Sequence, residues 1–167
     1  MEAKARPNKL INQANGRAGV RQTLKIMSEL VSEYKKNQFI RETAVNLTAG
    51  LPQKDYVGEV RRIFNFVQNQ IRYVRDVRGV ETLQTPLVTL ELKAGDCDDK
   101  STLAAALLES IGHPTRFLAM GFLPGSYSHV TVQTRIGPKW IALETTEPVE
   151  MGWIPKNILN VMVRHNR

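Results

Sequence analysis

The chain has one cysteine, Cys97, and three histidines, His113, His129 and His165. A single cysteine excludes an internal disulfide and a closed zinc site built on thiolates. What remains is a small buried hydrophobe or a nucleophile, and the neighbours must decide between them. Cys97 sits in Gly95-Asp96-Cys97-Asp98-Asp99. Asp96 is a good helix N-cap, and Asp99 three residues later can close a capping box. Cys97 then falls in the first helical turn, where unpaired backbone N–H groups and the helix dipole favour a thiolate. Three aspartates beside the sulfur act in the opposite direction unless their carboxylates turn away to cap the helix or pair with Lys100.

A nucleophile needs a base. His165 lies in a basic tail and His113 in a Gly-His-Pro turn, which reads as surface. His129 lies in a strand pattern, Tyr-Ser-His-Val-Thr-Val, and the next strand ends at Glu144. If the hairpin turns through Gly137–Pro138 with Ile136 facing Lys139, His129 faces Thr146 and Glu144 is its diagonal neighbour on the same sheet face. With the register slid by two, Glu144 lies directly opposite; Cβ atoms are about 5 Å apart when opposite and about 7–8 Å when diagonal, both within reach for a carboxylate to hold an imidazole N–H. A three-residue loop would send Glu144 to the other face. The three groups suit one mechanism: Cys97 attacks an acyl carbon, His129 takes and returns the proton, and Glu144 fixes the tautomer and supports the cation. The backbone N–H of Cys97 and the side chain of Gln84, with Gln70 behind it, are candidate oxyanion donors.

These residues need elements to position them. Val20, Leu24, Met27, Val31 and Tyr34 recur at helical spacing over 17–36, and a shorter helix fits 39–47. Asp55 can cap a third helix whose core face is Val60, Phe64, Val67 and Ile71. Residues 74–95 read as loop-rich, with Pro86 and Val88–Thr89 in an extended approach to Gly95. A helix follows to Ile111, closed by Gly112 and Pro114. Then the period changes to that of strands over 115–122, 127–136 and 139–144, and the apolar run 158–163 can return to the sheet. Helices first and antiparallel strands afterwards make an α+β fold.

The 167 residues suit one domain with an appendage. They divide into a basic N-terminal arm and helical extension over 1–54, a core over 55–150, and a basic C-terminal tail over 151–167. No apolar run approaches a membrane span, and the polar, basic N-terminus lacks an export signal, which places the chain in a cytoplasm or a particle assembled there. The net charge of +7 is uneven, with nine Lys/Arg against four Asp/Glu in residues 1–50. That imbalance suits an acidic partner or a solvated face. No nucleic-acid motif accompanies it.

Asn69-Gln-Ile-Arg-Tyr73, Thr89-Leu90, Gly95-Asp-Cys-Asp-Asp99, Gly112-His-Pro-Thr-Arg116, His129 and Trp140-Ile-Ala-Leu-Glu144 together resemble the transglutaminase-like superfamily, over residues 55–150. The short form with a helical extension resembles those encoded by tailed bacteriophages and prophages. The resemblance implies a papain-like core, with the catalytic helix packed on an antiparallel sheet. It also implies Cys97, His129 and Glu144 as the catalytic residues, although the family usually has Asp at the third position. An acyl-transfer enzyme acting through a thioester on a protein or peptide substrate is the expectation, with no cofactor, no metal and no membrane. The alternative is a structural or adaptor protein of a phage particle, in host cytoplasm or virion, held to other phage proteins through the basic arm.

Overall fold

A computed structural model of the chain describes residues 16–75 and 82–166, together with the backbone of Lys9–Leu10. The elements, in order, are β1 (Lys9–Leu10), α1 (Arg17–Tyr34), α2 (Gln38–Thr48), α3 (Tyr56–Gln70), β2 (Arg72–Tyr73), β3 (Thr82–Leu83), α4 (Pro86–Leu92), β4 (Ala94–Gly95), α5 (Cys97–Ser110), β5 (Thr115–Gly121), β6 (His129–Ile136), β7 (Lys139–Leu143) and β8 (Asn160–His165).

The helix that begins at Cys97 is the hub. Leu103, Ala104, Ala105, Ala106, Leu107 and Leu108 are all buried, so α5 is apolar nearly all round rather than along one stripe. A helix of that kind must be covered on every side. Phe117, Val130, Val132 and Leu143 of the sheet cover one side, and the apolar faces of α1, α2 and α3 cover the others. Those faces are the ones their periodicities specify: Leu24, Met27, Val31 and Tyr34 in α1, and Val60, Phe64 and Val67 in α3. Asn37 caps α2 by accepting from the N–H of Phe39 and Ile40, and Asp55 caps α3 by accepting from Gly58.

The main sheet has the order β7-β6-β5-β8 and is antiparallel throughout. Ile136 faces Lys139 across the two-residue turn, and the apolar run expected to return to the sheet does so as β8 beside β5. Two small pairings bring the remaining chain to the start of α5. β2 runs parallel to β4, with Arg72 N–H donating to Lys93 O and Val74 N–H to Gly95 O. β1 pairs antiparallel with β3.

Two expectations are corrected. Residues 86–92 form the helix α4 and are not extended. Thr85 caps it by accepting from Val88 N–H, Pro86 occupies the first turn where its missing N–H is harmless, and Lys93 ends it in the left-handed region at φ 50°. Part of the stretch read as loop, 76–81, lies outside the described residues. His113 is not a surface residue. It is buried against α3, its Nε2 is 2.6 Å from Glu59 Oε2, and its ring is edge-on to Tyr56. No helix among the described residues is long and apolar enough to cross a membrane.

Candidate active site

The start of α5 is held by a closed set of polar contacts. Asp96 accepts from Asp99 N–H at 3.0 Å, and Asp99 accepts from Asp96 N–H at 3.2 Å, which is the capping box its spacing anticipates. Gln84 completes the clamp: its backbone N–H and its Nε2 donate to the two oxygens of Asp99, each at 2.8 Å, and Nε2 also donates to Ala94 O at 3.2 Å. The chain can pass so close only because position 95 is glycine, where an added Cβ would stand 2.6 Å from the Cβ of Asp99. Both amide hydrogens of Gln84 are therefore committed. The oxyanion role expected of this side chain would require it to leave Asp99 or Ala94, and its present work is to fix the helix start. Gln70 is exposed.

Cys97 follows as the first helical residue, half-buried at the wall of an open cleft of about 370 Å³. The same cleft is lined by His129 and Val130 of β6, by Gly19, Val20 and Thr23 of α1, and by the loop before β6. That loop is tied down by Asn160 Nδ2, which donates to Leu123 O at 2.7 Å and to Ser126 O at 3.0 Å. It folds so tightly on Gly121 that no side chain fits there: an added Cβ would stand 1.6 Å from Ser126 O.

Burial pushes the Cys97 thiol well above its ordinary range, and the charges of Asp98 and Asp96 push it further. The Val130 backbone N–H pulls the other way. Asp98 is the carboxylate that matters most, with Oδ1 3.6 Å from the sulfur and placed to accept the thiol proton. Asp96 and Asp99 are turned into the cap. Lys100 does not pair with these aspartates; its Nζ donates to Ile71 O at 2.6 Å, at the end of α3. Burial and the neighbouring carboxylates thus favour the thiol, against the pull of the helix dipole.

His129 and Glu144 meet as the two-residue turn requires. Nε2 of His129 is 2.5 Å from Oε2 of Glu144, which is 1% exposed. Burial of the imidazole works against its cation, but the hydrogen bond and charge of Glu144 outweigh it and raise His129 above its ordinary value. For Glu144 burial opposes ionisation, and the bonds from His129 and Thr146 overcome it, holding the carboxyl below its ordinary range. Thr146 donates its N–H at 3.0 Å and its hydroxyl at 2.7 Å to Oε1. The neighbouring Thr145 is buried, and Thr146 makes the bonds.

Two supporting residues are invisible in the sequence. Gln68 Nε2 donates to Glu144 O, Glu147 O and Val149 O, pinning the loop after β7 to α3. Lys100, 2% exposed, lies close enough to feel the charge of Glu144. Among the described residues, no cluster of His, Cys, Asp and Glu could hold a metal ion.

The arrangement therefore puts a thiol and a carboxylate-backed imidazole on one cleft. With Nε2 held by Glu144, Nδ1 of His129 is the ring nitrogen that the carboxylate does not engage. Residues 41–145 match the family model of the transglutaminase-like superfamily. Among solved structures, a candidate cysteine protease from Cytophaga hutchinsonii superposes with a TM-score of 0.60 at 15% identity, covering 98% of this chain and 72% of that one. A candidate protease from Parabacteroides distasonis gives 0.59 at 17% identity, covering 74% of this chain and only 26% of the other, so this chain spans about a quarter of that protein. At such identities the likeness is one of fold. No curated protein matches the sequence.

Proposed function

The chain belongs to the transglutaminase-like superfamily, and from that premise we propose that it performs cysteine-dependent acyl transfer on peptide or isopeptide amides, with Cys97 as nucleophile, His129 as base and Glu144 as orienting carboxylate. The observation that carries this reading is the buried Glu144 gripping His129 on the wall of the cleft that Cys97 also lines. An imidazole so held has one nitrogen fixed and the other presented, and its cation is supported at the moment it forms.

In this reading the thiol proton of Cys97 passes to Nδ1 of His129 as the sulfur attacks the carbonyl carbon. The oxyanion is met by the backbone N–H of Cys97, one of the four that a helix start leaves without an intrahelical partner. The imidazolium then protonates the departing amine, the C–N bond breaks, and a thioester remains. Water or a second amine attacks it, giving its proton to His129, and Cys97 leaves as a thiol. Because the sulfur rests protonated, the transfer to His129 is part of the attack and is not completed beforehand.

The test is acylation by p-nitrophenyl acetate followed by mass spectrometry of the intact chain. The expected result is a burst of nitrophenolate with one acetyl group on Cys97, released by hydroxylamine. Positioned proton transfer contributes roughly 10²–10⁴-fold, so His129→Ala should slow acylation by that order. Acylation of Cys97 at the rate of a free thiol, unchanged in His129→Ala, would refute the proposal.

A further inference from the structure

The strand β8 closes the main sheet on one side, and among the described residues no strand pairs with its outer edge. Its register with β5 sets Arg116 opposite His165, Leu118 opposite Val163 and Met120 opposite Val161, and Asn166 N–H donates to Thr115 O at 3.0 Å. Alternate residues of an antiparallel strand point their N–H and C=O to opposite neighbours. The even-numbered residues of β8 therefore bond to β5, and the backbones of Val161, Val163 and His165 point outward. Val161 and Val163 are 50% and 41% exposed. An open edge carrying β-branched apolar residues is one that folded proteins ordinarily blunt or use.

Beside this edge lies α1, and its charge is divided along its length. Arg17 and Arg21 of its first half line a groove with Val161–Arg164, while Glu29 and Glu33 of its second half line a groove with Val163–His165. Arg164 lines both grooves, so the difference comes from α1, which sets arginines beside Val161 and glutamates beside His165, Glu29 also lying 3.9 Å from Lys25 of its own helix. A surface with that polarity is complementary to itself when turned around by half a revolution.

We propose that two copies of the chain join edge to edge through β8 about a two-fold axis at Val163. The outward-pointing residues fix the register: Val163 faces Val163 of the second copy, and Val161 faces His165. Each of these three pairs exchanges backbone hydrogen bonds, and the two four-stranded sheets become one of eight. In this arrangement the Arg17 and Arg21 end of each α1 lies beside the Glu29 and Glu33 end of the other, twice over. Parallel pairing would bring like charges together and is disfavoured. The contact is isologous, so it closes at two copies.

The test uses the full chain in sedimentation velocity and light scattering, where a species of twice 18.8 kDa is expected. Val163→Pro removes an outward N–H and no bond to β5, and a proline is tolerated at such an edge position. It should give a monomer with an unchanged circular dichroism spectrum. Should that variant fail to fold, charge reversal gives an independent reading. Arg17→Glu with Arg21→Glu in one protein, and Glu29→Arg with Glu33→Arg in another, should each be monomeric alone. Mixed together they should form a heterodimer, because both contacts are then of opposite charge. A wild-type chain that stays monomeric at its highest soluble concentration overturns the proposal, whether or not it accepts a strand from another protein. So does a dimer that survives Val163→Pro, or a mixture of the charge variants that fails to associate.

Discussion

Lys100 offers a sharp test of how the site is held, because it is a cation with almost no water. Its side chain is 2% exposed, and burial lowers its pKa from 10.5 to about 8, although the charge of Glu144 acts the other way. At about 1.4 kcal/mol per tenfold change, that displacement corresponds to roughly 3 kcal/mol. Between pH 8 and 10.5 the unfolded chain holds a proton on Lys100 that the folded chain has released. The unfolded state then binds more protons, so stability rises with pH across this window, and the whole cost of burying the charge is present below it. In Lys100→Met nothing titrates, and this rise is absent.

Two opposing effects set the variant's stability at neutral pH. Methionine relieves the burial of charge, but it leaves Ile71 O, and the weaker acceptor Gln68 O at 3.5 Å, without their donor, at a cost of about 1–3 kcal/mol. The two nearly cancel near pH 7, and the variant should be close to wild type there. By pH 10 wild type has gained and the variant has only lost its hydrogen bonds, so the difference should have moved by roughly 3 kcal/mol in favour of wild type. Urea unfolding followed by the fluorescence of Trp140 and Trp153, at pH steps from 7 to 10, measures it. The titration of every other group is common to both proteins and cancels in the difference. A difference that stays flat with pH would show that Lys100 is not a buried cation.

Further outcomes follow from the same contacts. Glu144→Gln should lower the His129 pKa, move the acid limb of the acylation profile to lower pH, and slow acylation by about 10²-fold or more. The His129–Glu144 pair also stabilises the fold most between the unfolded values of about 4.5 and 6.5: the raised histidine adds stability that fades as pH rises through its folded value, and the lowered carboxyl adds stability that fades as pH falls through its own. Wild type and Glu144→Gln should therefore differ most in urea midpoint within that window. Asp98→Asn removes the carboxylate nearest the sulfur, so iodoacetamide should label Cys97 several-fold faster at pH 8 than in wild type, and a slower reaction would contradict the assigned direction. Asp99→Ala breaks the capping box and leaves the Gln84 amide without its acceptor, and should cost about 2–4 kcal/mol by urea unfolding, where a loss under about 1 kcal/mol would show that the clamp is not used.

Much of the site was legible because it depends on local chemistry and one turn. Asp96 and Asp99 declare the start of α5 by their spacing, and the two-residue turn at Gly137–Pro138 fixes which residues of β6 and β7 share a face. From that turn alone, His129 and Glu144 become diagonal neighbours. What the sequence concealed depends on contacts between distant segments. Gln68 and Lys100 look like ordinary helix residues until α3, α5 and the loop after β7 are brought together. Gln84 has amide donors of the kind an oxyanion hole needs, and only the approach of β3 to the capping box shows that they are already engaged. The short helix α4 was hidden by its β-branched pair, although Thr85 as cap and Pro86 in the first turn were signals of a helix start. His113 looked exposed because a Gly-His-Pro turn usually is, and its partner Glu59 lies more than fifty residues earlier.

The same geometry accounts for how a glutamate at 144, where the resemblance leads one to expect aspartate, reaches His129. The pairing of β6 with β7 runs from Ile136–Lys139 to Val132–Leu143, and continued at the same offset it sets Thr146, three residues past the end of β7, across from His129, with Glu144 on the diagonal. A diagonal partner has about 7–8 Å to span between Cβ atoms. The longer side chain crosses that gap to the imidazole with one oxygen and turns the other back to the N–H and hydroxyl of Thr146. Thr146 therefore contributes to the site without touching His129, by holding the carboxylate ionised and aimed. Gln68 fixes the backbone on which both stand. The reach of one additional methylene, the offset of two residues and the turn after β7 together hold a charge still behind the imidazole, out of contact with water.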